Sequence, residues 1–243
     1  MYYGSLCVEV TRRCNMNCAH CLRGDAENMD MNMEYLERFF QHVDGIQSIT
    51  FTGGEPTMNL SAIKGILQIC KERDIPVDSF YLVTNGKSVT DEFIHLMLDW
   101  TLYCQQWFPE TVSEGLSGLT VSQDKFHEPI KEDALNKLRT LSVFREDDKS
   151  INWDAGYALY RLGRARSLSS SAYNFKTARR YDPEVSGNCV DSVITLTCTG
   201  HIIPDCDYEY SEETEIAIGK ATSDAEMEKY LRYIKECAEE CAA

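Results

Sequence analysis

Residues 3–21, YGSLCVEVTRRCNMNCAHC, join an alternating apolar run to three closely spaced cysteines, and the rest of the chain is read outward from them. Residues 3–11 carry the two-residue periodicity of a strand. Cys14, Cys18 and Cys21 follow as Cys-x3-Cys-x2-Cys, in a loop directly behind it. Three thiolates in one loop can hold three irons of a four-iron four-sulfur cluster. No fourth cysteine follows at close range, so one iron stays open to a non-protein ligand, which turns an electron store into a reaction centre. A zinc knuckle would want a fourth Cys or His a few residues on. His20 sits too close to Cys18 and Cys21 to fill that corner.

Strand–helix units succeed one another behind this loop. A helix is expected over 32–43, with Tyr35, Leu36, Phe39 and Phe40 on one face. A strand over 48–52 ends in Gly53-Gly54-Glu55-Pro56. Leu60, Ile63, Ile66, Leu67 and Cys70 mark the next helix, and a strand over 79–84 closes with Asn85-Gly86. Phe93, Met97, Trp100 and Cys104 mark a third helix. A strand over 119–122, a helix through Leu135, Leu138 and Leu141, and a fifth strand within 151–162 complete the series. Such alternation builds a parallel sheet with covering helices. Five strands fall short of eight, so the fold class is α/β, a partial (β/α) barrel over 1–180. The chemistry of such sheets lies at the carboxyl ends of the strands. There the cysteine loop, Gly53-Gly54-Glu55, Asn85, Ser122-Gln123-Asp124 and Gly163-Arg164-Ala165 fall in register. Singly each is ordinary turn chemistry; together they form one rim.

The pattern changes near residue 181. Residues 191–197 alternate, Thr199-Gly200 turns, and His201-Ile202-Ile203 returns, a β-hairpin with Cys189 before it and Cys206 behind it. A last helix starts at Ser223, with Glu226 completing a capping box. Met227, Tyr230, Leu231 and Ile234 form its apolar stripe, continued by Cys237 and Cys241 at i, i+4. A small C-terminal module over 181–243 is expected, with a second metal site on these cysteines.

Eleven cysteines in 243 residues, with no export signal, point to metal or redox chemistry inside a cell rather than disulfides. No apolar run reaches membrane-spanning length, and a cytoplasmic protein is expected. The formal charge of −15 argues against nucleic acid as the main partner. A basic stretch (Arg161, Arg164, Arg166, Lys176, Arg179, Arg180) is either a solvated surface or a face for an anionic ligand.

The Cys-x3-Cys-x2-Cys loop, Gly-Gly-Glu-Pro and the strand-end register together resemble the radical S-adenosylmethionine (radical SAM) enzymes over essentially the whole chain. The resemblance implies that Cys14, Cys18 and Cys21 ligate the cluster and that S-adenosylmethionine chelates its open iron. It implies that Gly53, Gly54 and Glu55 receive the methionyl ammonium, and that Asn85, Ser122 and Asp124 hydrogen-bond the cofactor. Arg164 matches the stretch after strand five, and His20 stands where an aromatic ring usually lies near the adenine. The C-terminal module resembles the twitch type of auxiliary-cluster domain, shorter than the SPASM type. It implies one auxiliary four-iron cluster on Cys189, Cys206, Cys237 and Cys241, leaving Cys198 spare.

By this resemblance the expected reaction is reductive cleavage of S-adenosylmethionine to a 5′-deoxyadenosyl radical, which takes a hydrogen atom from a substrate. The first expectation is oxidation of a small alcohol or sugar-like substrate, with the auxiliary cluster accepting an electron. The alternatives are modification of a peptide, and a non-catalytic two-cluster electron carrier or sensor. Few residues precede the first strand, so a fused leader-binding domain is not expected. The expected partners are the substrate and a one-electron reductant such as flavodoxin or ferredoxin, without nucleic acid or membrane.

Overall fold

A computed structural model describes residues 1–146, 158–171, 173–176 and 182–241. Its frame is one mostly parallel sheet. β1 (Tyr2–Thr11), β2 (Gly45–Gly53), β3 (Val77–Thr84) and β4 (Gly118–Val121) run parallel, in that spatial order. The crossovers carry α1 (Met33–Phe40), α2 (Leu60–Glu72) and α3 (Asp91–Trp107), and α4 (Glu132–Leu138) follows β4. Local chemistry starts each helix. The side chains of Asn32, Asn59 and Thr90 accept from backbone N–H groups of the first turns of α1, α2 and α3, satisfying donors that the helix cannot.

The core lies between the sheet and these helices. Leu6, Val8 and Val10 of β1 and Ile49 and Phe51 of β2 pack with Leu36, Phe39, Ile63, Ile66 and Trp100. Trp100 stands 4.9 Å from Phe51, ring centre to ring centre. The alternate residues of the same strands, among them Cys7, Thr50, Thr52, Tyr81 and Val83, line a cavity instead.

β5 (Ala158–Tyr160) falls within the expected fifth strand, whose residues 151–157 lie outside the described ones. It pairs in parallel with β6 (Asn174–Lys176) in a separate two-stranded sheet and does not extend β4. Among the described residues the barrel is therefore open, as a partial barrel must be. Of the basic stretch, Arg179 and Arg180 also lie outside the described residues.

The expected hairpin forms from β8 (Cys189–Leu196) and β9 (His201–Pro204), flanked by the short strands β7 (Val185–Ser186) and β10 (Gly219–Lys220). Its position was not expected. β8 pairs in parallel with β1, from Tyr2 opposite Cys189 to Val8 opposite Leu196, so the hairpin continues the barrel sheet on its other edge. Between β9 and β10 lies α5 (Glu213–Ile216). α6 (Asp224–Cys241) then closes over the outer face, where Tyr230 packs near Phe39 and Tyr3. Among the described residues no helix is long and apolar enough to cross a membrane.

Candidate active site

The strand-end loops surround a cavity of about 490 Å³. Cys14, Cys18 and Cys21 all face it, in a loop closed by the Cys21 N–H donating to the Cys18 carbonyl at 3.1 Å. Burial pushes the Cys14 thiol up and the Cys18 thiol up to about 11. Three half-buried thiols sharing one loop suit a cationic iron cluster, which favours their ionised form.

Two neighbouring segments fix that loop. Gly54 N–H donates to the Thr11 carbonyl and Glu55 N–H to the Arg13 carbonyl, both at 2.8 Å. At Gly53, whose φ is +146°, a Cβ would overlap the Thr11 carbonyl, and one at Gly54 would overlap the Arg13 carbonyl. The glycine pair is thus required by the close approach of the loop's backbone. From the other side, Gly163 adopts φ +51°, and a Cβ there would come within 2.6 Å of the Cys21 carbonyl oxygen. Arg164 N–H donates to the Cys21 carbonyl at 3.0 Å and Arg164 Nε to the Cys18 carbonyl at 2.9 Å. Arg164 therefore grips the cysteine loop itself.

Glu55 is buried and accepts from the hydroxyls of Thr57 and Thr84 at 2.6 and 2.7 Å, and from the N–H groups of Asn85 and Thr57 at 2.8 and 3.2 Å. Burial raises its pKa against these donors. Its carboxylate ties the end of β2 to the turn after β3. Asn85 donates onward to Asn15 Oδ1 at 2.7 Å, inside the cysteine loop.

His20 and Ser122 also face the cavity; Asp124 lies behind them. Asp124 Oδ1 is 2.8 Å from His127 Nδ1 and its Oδ2 is 3.8 Å from His20 Nε2, while Phe126 stacks on His20 at 4.4 Å. These three groups bring ligand-type atoms within 4.8 Å of one another. Burial holds His20 neutral, down to about 4.

Several cavity residues carried no sequence signal. Arg12 reaches Glu9 at 3.0 Å, Glu27 at 2.9 Å and also Glu213, and its guanidinium lies 4.1 Å from the Tyr210 ring centre. Arg23 stacks on Tyr208 at 3.9 Å and donates to the Tyr208 carbonyl at 3.1 Å. The fully buried Glu9 accepts from the Tyr208 hydroxyl and from the Cys198 N–H. These bonds fasten the segment after β9 over the cavity, so that Cys206, Asp207 and Tyr210 wall it opposite β2 and β3, with Tyr160 bonded to Asp207. Alternation along β1 points Cys7 and Glu9 inward, the one clue the sequence held.

Among the described residues, Cys189, Cys206 and Cys237 do not gather, and the side chain of Cys241 lies outside the described ones. Val190, Ile194 and Leu196 of β8 share the outer core with Met227, Tyr230 and Ile234 of α6. Cys189, whose thiol donates to Asp191 Oδ1 at 3.1 Å, belongs to the alternate face, at the far end of β8 beside Tyr2. Cys206 meets Cys7 at the cavity, and Cys237 rides on α6 beside Tyr233. Cys198 is buried next to Glu9, away from the cavity wall.

The family model described as the radical SAM superfamily matches residues 8–102, which contain the cysteine loop, Gly53-Gly54-Glu55 and Asn85. Residues 8–102 are a radical SAM superfamily domain. The chain is 26% identical, over 162 residues, to the putative peptide biosynthesis protein YydG of Bacillus subtilis (strain 168), covering 63% of the chain and 46% of the relative. It is 29% identical over 144 residues to GTP 3′,8-cyclase of Chlorobaculum tepidum, 58% of the chain and 36% of that relative. The matches thus span less than half the length of either. The fold is similar to that of native anSMEcpe with bound AdoMet and a peptide, with TM-score 0.54 and 13% identity over 97% of this chain and 82% of the other. Membership implies a four-iron four-sulfur cluster and S-adenosylmethionine as cofactors, and the cysteine loop has the donor set for that cluster.

Proposed function

We propose that this radical SAM chain is an enzyme that modifies a peptide, beginning with removal of a hydrogen atom from an unactivated C–H bond. The observation that carries the reading is the cavity, in which the three thiols of the cysteine loop face a wall of Tyr160, Cys206, Asp207 and Tyr210. Support for a peptide comes from the similarity to YydG and from a fold similar to that of a protein solved with AdoMet and a peptide. Oxidation of a small alcohol, the first expectation from sequence, has no such support. A pure electron carrier would have no use for a cavity of about 490 Å³ beside the cysteine loop.

When bound, the cluster and S-adenosylmethionine supply a 5′-deoxyadenosyl radical. In this proposal Cys14, Cys18 and Cys21 hold the cluster, and Arg164 and Gly163 keep their loop in shape. Gly53 and Gly54, which line the cavity, would receive the methionyl ammonium, and Glu55 would fix that backbone. His20, Asn85 and Ser122 face the cofactor, with Asp124 orienting His20. The Arg12–Glu9–Tyr208 layer excludes water beneath the reacting carbon, which protects a radical from side reactions.

Residues 181–243 are proposed as the unit that completes the wall. An auxiliary cluster on Cys189, Cys206, Cys237 and Cys241 would require Cys189, Cys206 and Cys237 to leave their present surroundings, so no step is routed through it. A flavodoxin or ferredoxin is proposed as the reductant. The test is anaerobic reconstitution with iron and sulfide, then S-adenosylmethionine, dithionite and a library of Cα-deuterated peptides. Label arriving in 5′-deoxyadenosine supports the proposal. Cleavage that survives Cys14→Ala, Cys18→Ala and Cys21→Ala together ends it.

A further inference from the structure

Cys7 lies in β1, and the sequence sets Cys206 with Cys189, Cys237 and Cys241. The fold pairs Cys206 with Cys7 instead. Strand register sets Cys7 of β1 opposite Thr195 of β8. The Thr195 hydroxyl donates to the Asp205 carbonyl at 2.8 Å, which pulls the end of β9 towards β1. Asp205 then takes φ +66°, and its side chain accepts from the Cys206 N–H at 2.5 Å. That turn brings the Cys206 thiol beside the Cys7 thiol. The buried Arg23 guanidinium bears on both.

Two adjoining thiols in a core are often only small apolar filler. Cys70 and Cys104 are of that kind, sealed between α2 and α3 and remote from the cavity. Cys7 and Cys206 differ because both face the cavity, where a small reagent can reach them.

We propose that Cys7 and Cys206 are a redox-active dithiol that closes to a reversible disulfide across the cavity wall. The oxidant class is a low-molecular-weight disulfide, RSSR. One of the two thiols, deprotonated, attacks a sulfur of RSSR and expels RS⁻, forming a mixed disulfide; the other then displaces the second RS⁻. Two protons and two electrons leave the protein thiols and appear as two RSH. A reducing dithiol reverses both exchanges. The bond ties β1 to the segment 206–210, giving the cavity a two-electron couple of its own. It also removes Cys206 from any iron-ligand set. The inference stands on the Cys7–Cys206 geometry and not on the identity of the substrate.

The test is disulfide mapping of the full chain under anaerobic conditions. Glutathione disulfide is added both to the reconstituted wild type and to the Cys14→Ala, Cys18→Ala, Cys21→Ala variant, followed by alkylation, digestion and mass spectrometry. The expected product is one Cys7–Cys206 cross-linked peptide in both proteins, reopened by dithiothreitol, with Cys70 and Cys104 still reduced. Cys7→Ser should turn Cys206 into a stable glutathione adduct instead. The wild-type arm needs no substitution to fold. The proposal is overturned if Cys206 is cross-linked to another cysteine, or stays a free thiol while Cys7 is modified. It is equally overturned if the triple variant, after reconstitution, retains about four irons with Cys206 shielded from alkylation. S-adenosylmethionine cleavage, assayed separately on the dithiothreitol-treated protein, reports on the radical SAM reading alone.

Discussion

Arg164 Nε donates to the backbone carbonyl of Cys18 at 2.9 Å, across 146 residues of chain. A side chain that the sequence places with the cofactor lines the cavity and also clamps the cysteine loop. Arg164→Ala should leave far-ultraviolet circular dichroism unchanged but cut iron retention after desalting several-fold, since a charge-assisted bond to a carbonyl contributes about 1.5–3 kcal/mol. Arg164→Lys should rescue little, because a point charge lacks the planar fork that reaches both Cys18 and Asp25. Iron retention equal to wild type in both variants would remove the clamp.

Gly53→Ala and Gly163→Ala should each lower unfolding free energy by roughly 2–4 kcal/mol, by combining backbone strain with steric overlap. Gly187 is the control, because its φ is +59° but nothing lies within 4 Å of its Cβ position. Gly187→Ala should cost only about 1 kcal/mol, the backbone strain alone. Urea titrations of the three variants measure the difference. Equal costs would mean that the close approach to the cysteine loop is not what demands glycine.

Glu55→Gln should weaken S-adenosylmethionine binding and lower the melting temperature together. The carboxylate accepts from four internal donors, and the amide would turn its NH2 toward some of them. Each donor left unpaired costs about 1–3 kcal/mol. Calorimetric titration beside thermal unfolding separates the effects, and an unchanged melting temperature would return Glu55 to a purely ligand-facing role.

The sequence carried the cavity's chemistry further than its walls. Cys14, Cys18, Cys21 and Gly53-Gly54 were legible because each motif's reason is local, a ligand spacing or a forced close approach. The strands and helices through α3 were legible because each repeats a short period. The place of the hairpin was not, since the parallel pairing of β8 with β1 joins residues nearly the whole chain apart. Nothing in the period of residues 189–204 names that neighbour. For the same reason Cys206 read as part of a separate module. The internal donors of Glu55, on Thr57, Thr84 and Asn85, were not legible, because they converge only once β2 and β3 lie side by side.

Glu213 gives the expected behaviour in acid. Burial opposes its ionisation, but hydrogen bonds from His201, Thr197, Thr199 and Arg12 outweigh it and hold the pKa at about 2. A carboxylate depressed in the folded state contributes stability that is present above its unfolded value near 4.5 and fades as pH falls towards 2. Wild type should therefore lose stability over that window, and Glu213→Gln should flatten the loss while being less stable at pH 7. Identical acid-unfolding curves for the two proteins would contradict this.

Arg12 with Glu213, and Arg164 with Cys18, also set an order of events during synthesis. Cys14, Cys18 and Cys21 leave the ribosome long before residues 163–164 and 206–213 exist to cover them. Chains fold from the amino terminus as they emerge, and contacts distant in sequence form last. Iron delivered to the nascent chain meets an open loop, and the later segments seal it in. Iron offered to the finished apoprotein would have to pass segments held by the Arg12–Glu213 ion pair and the Arg164–Cys18 hydrogen bond.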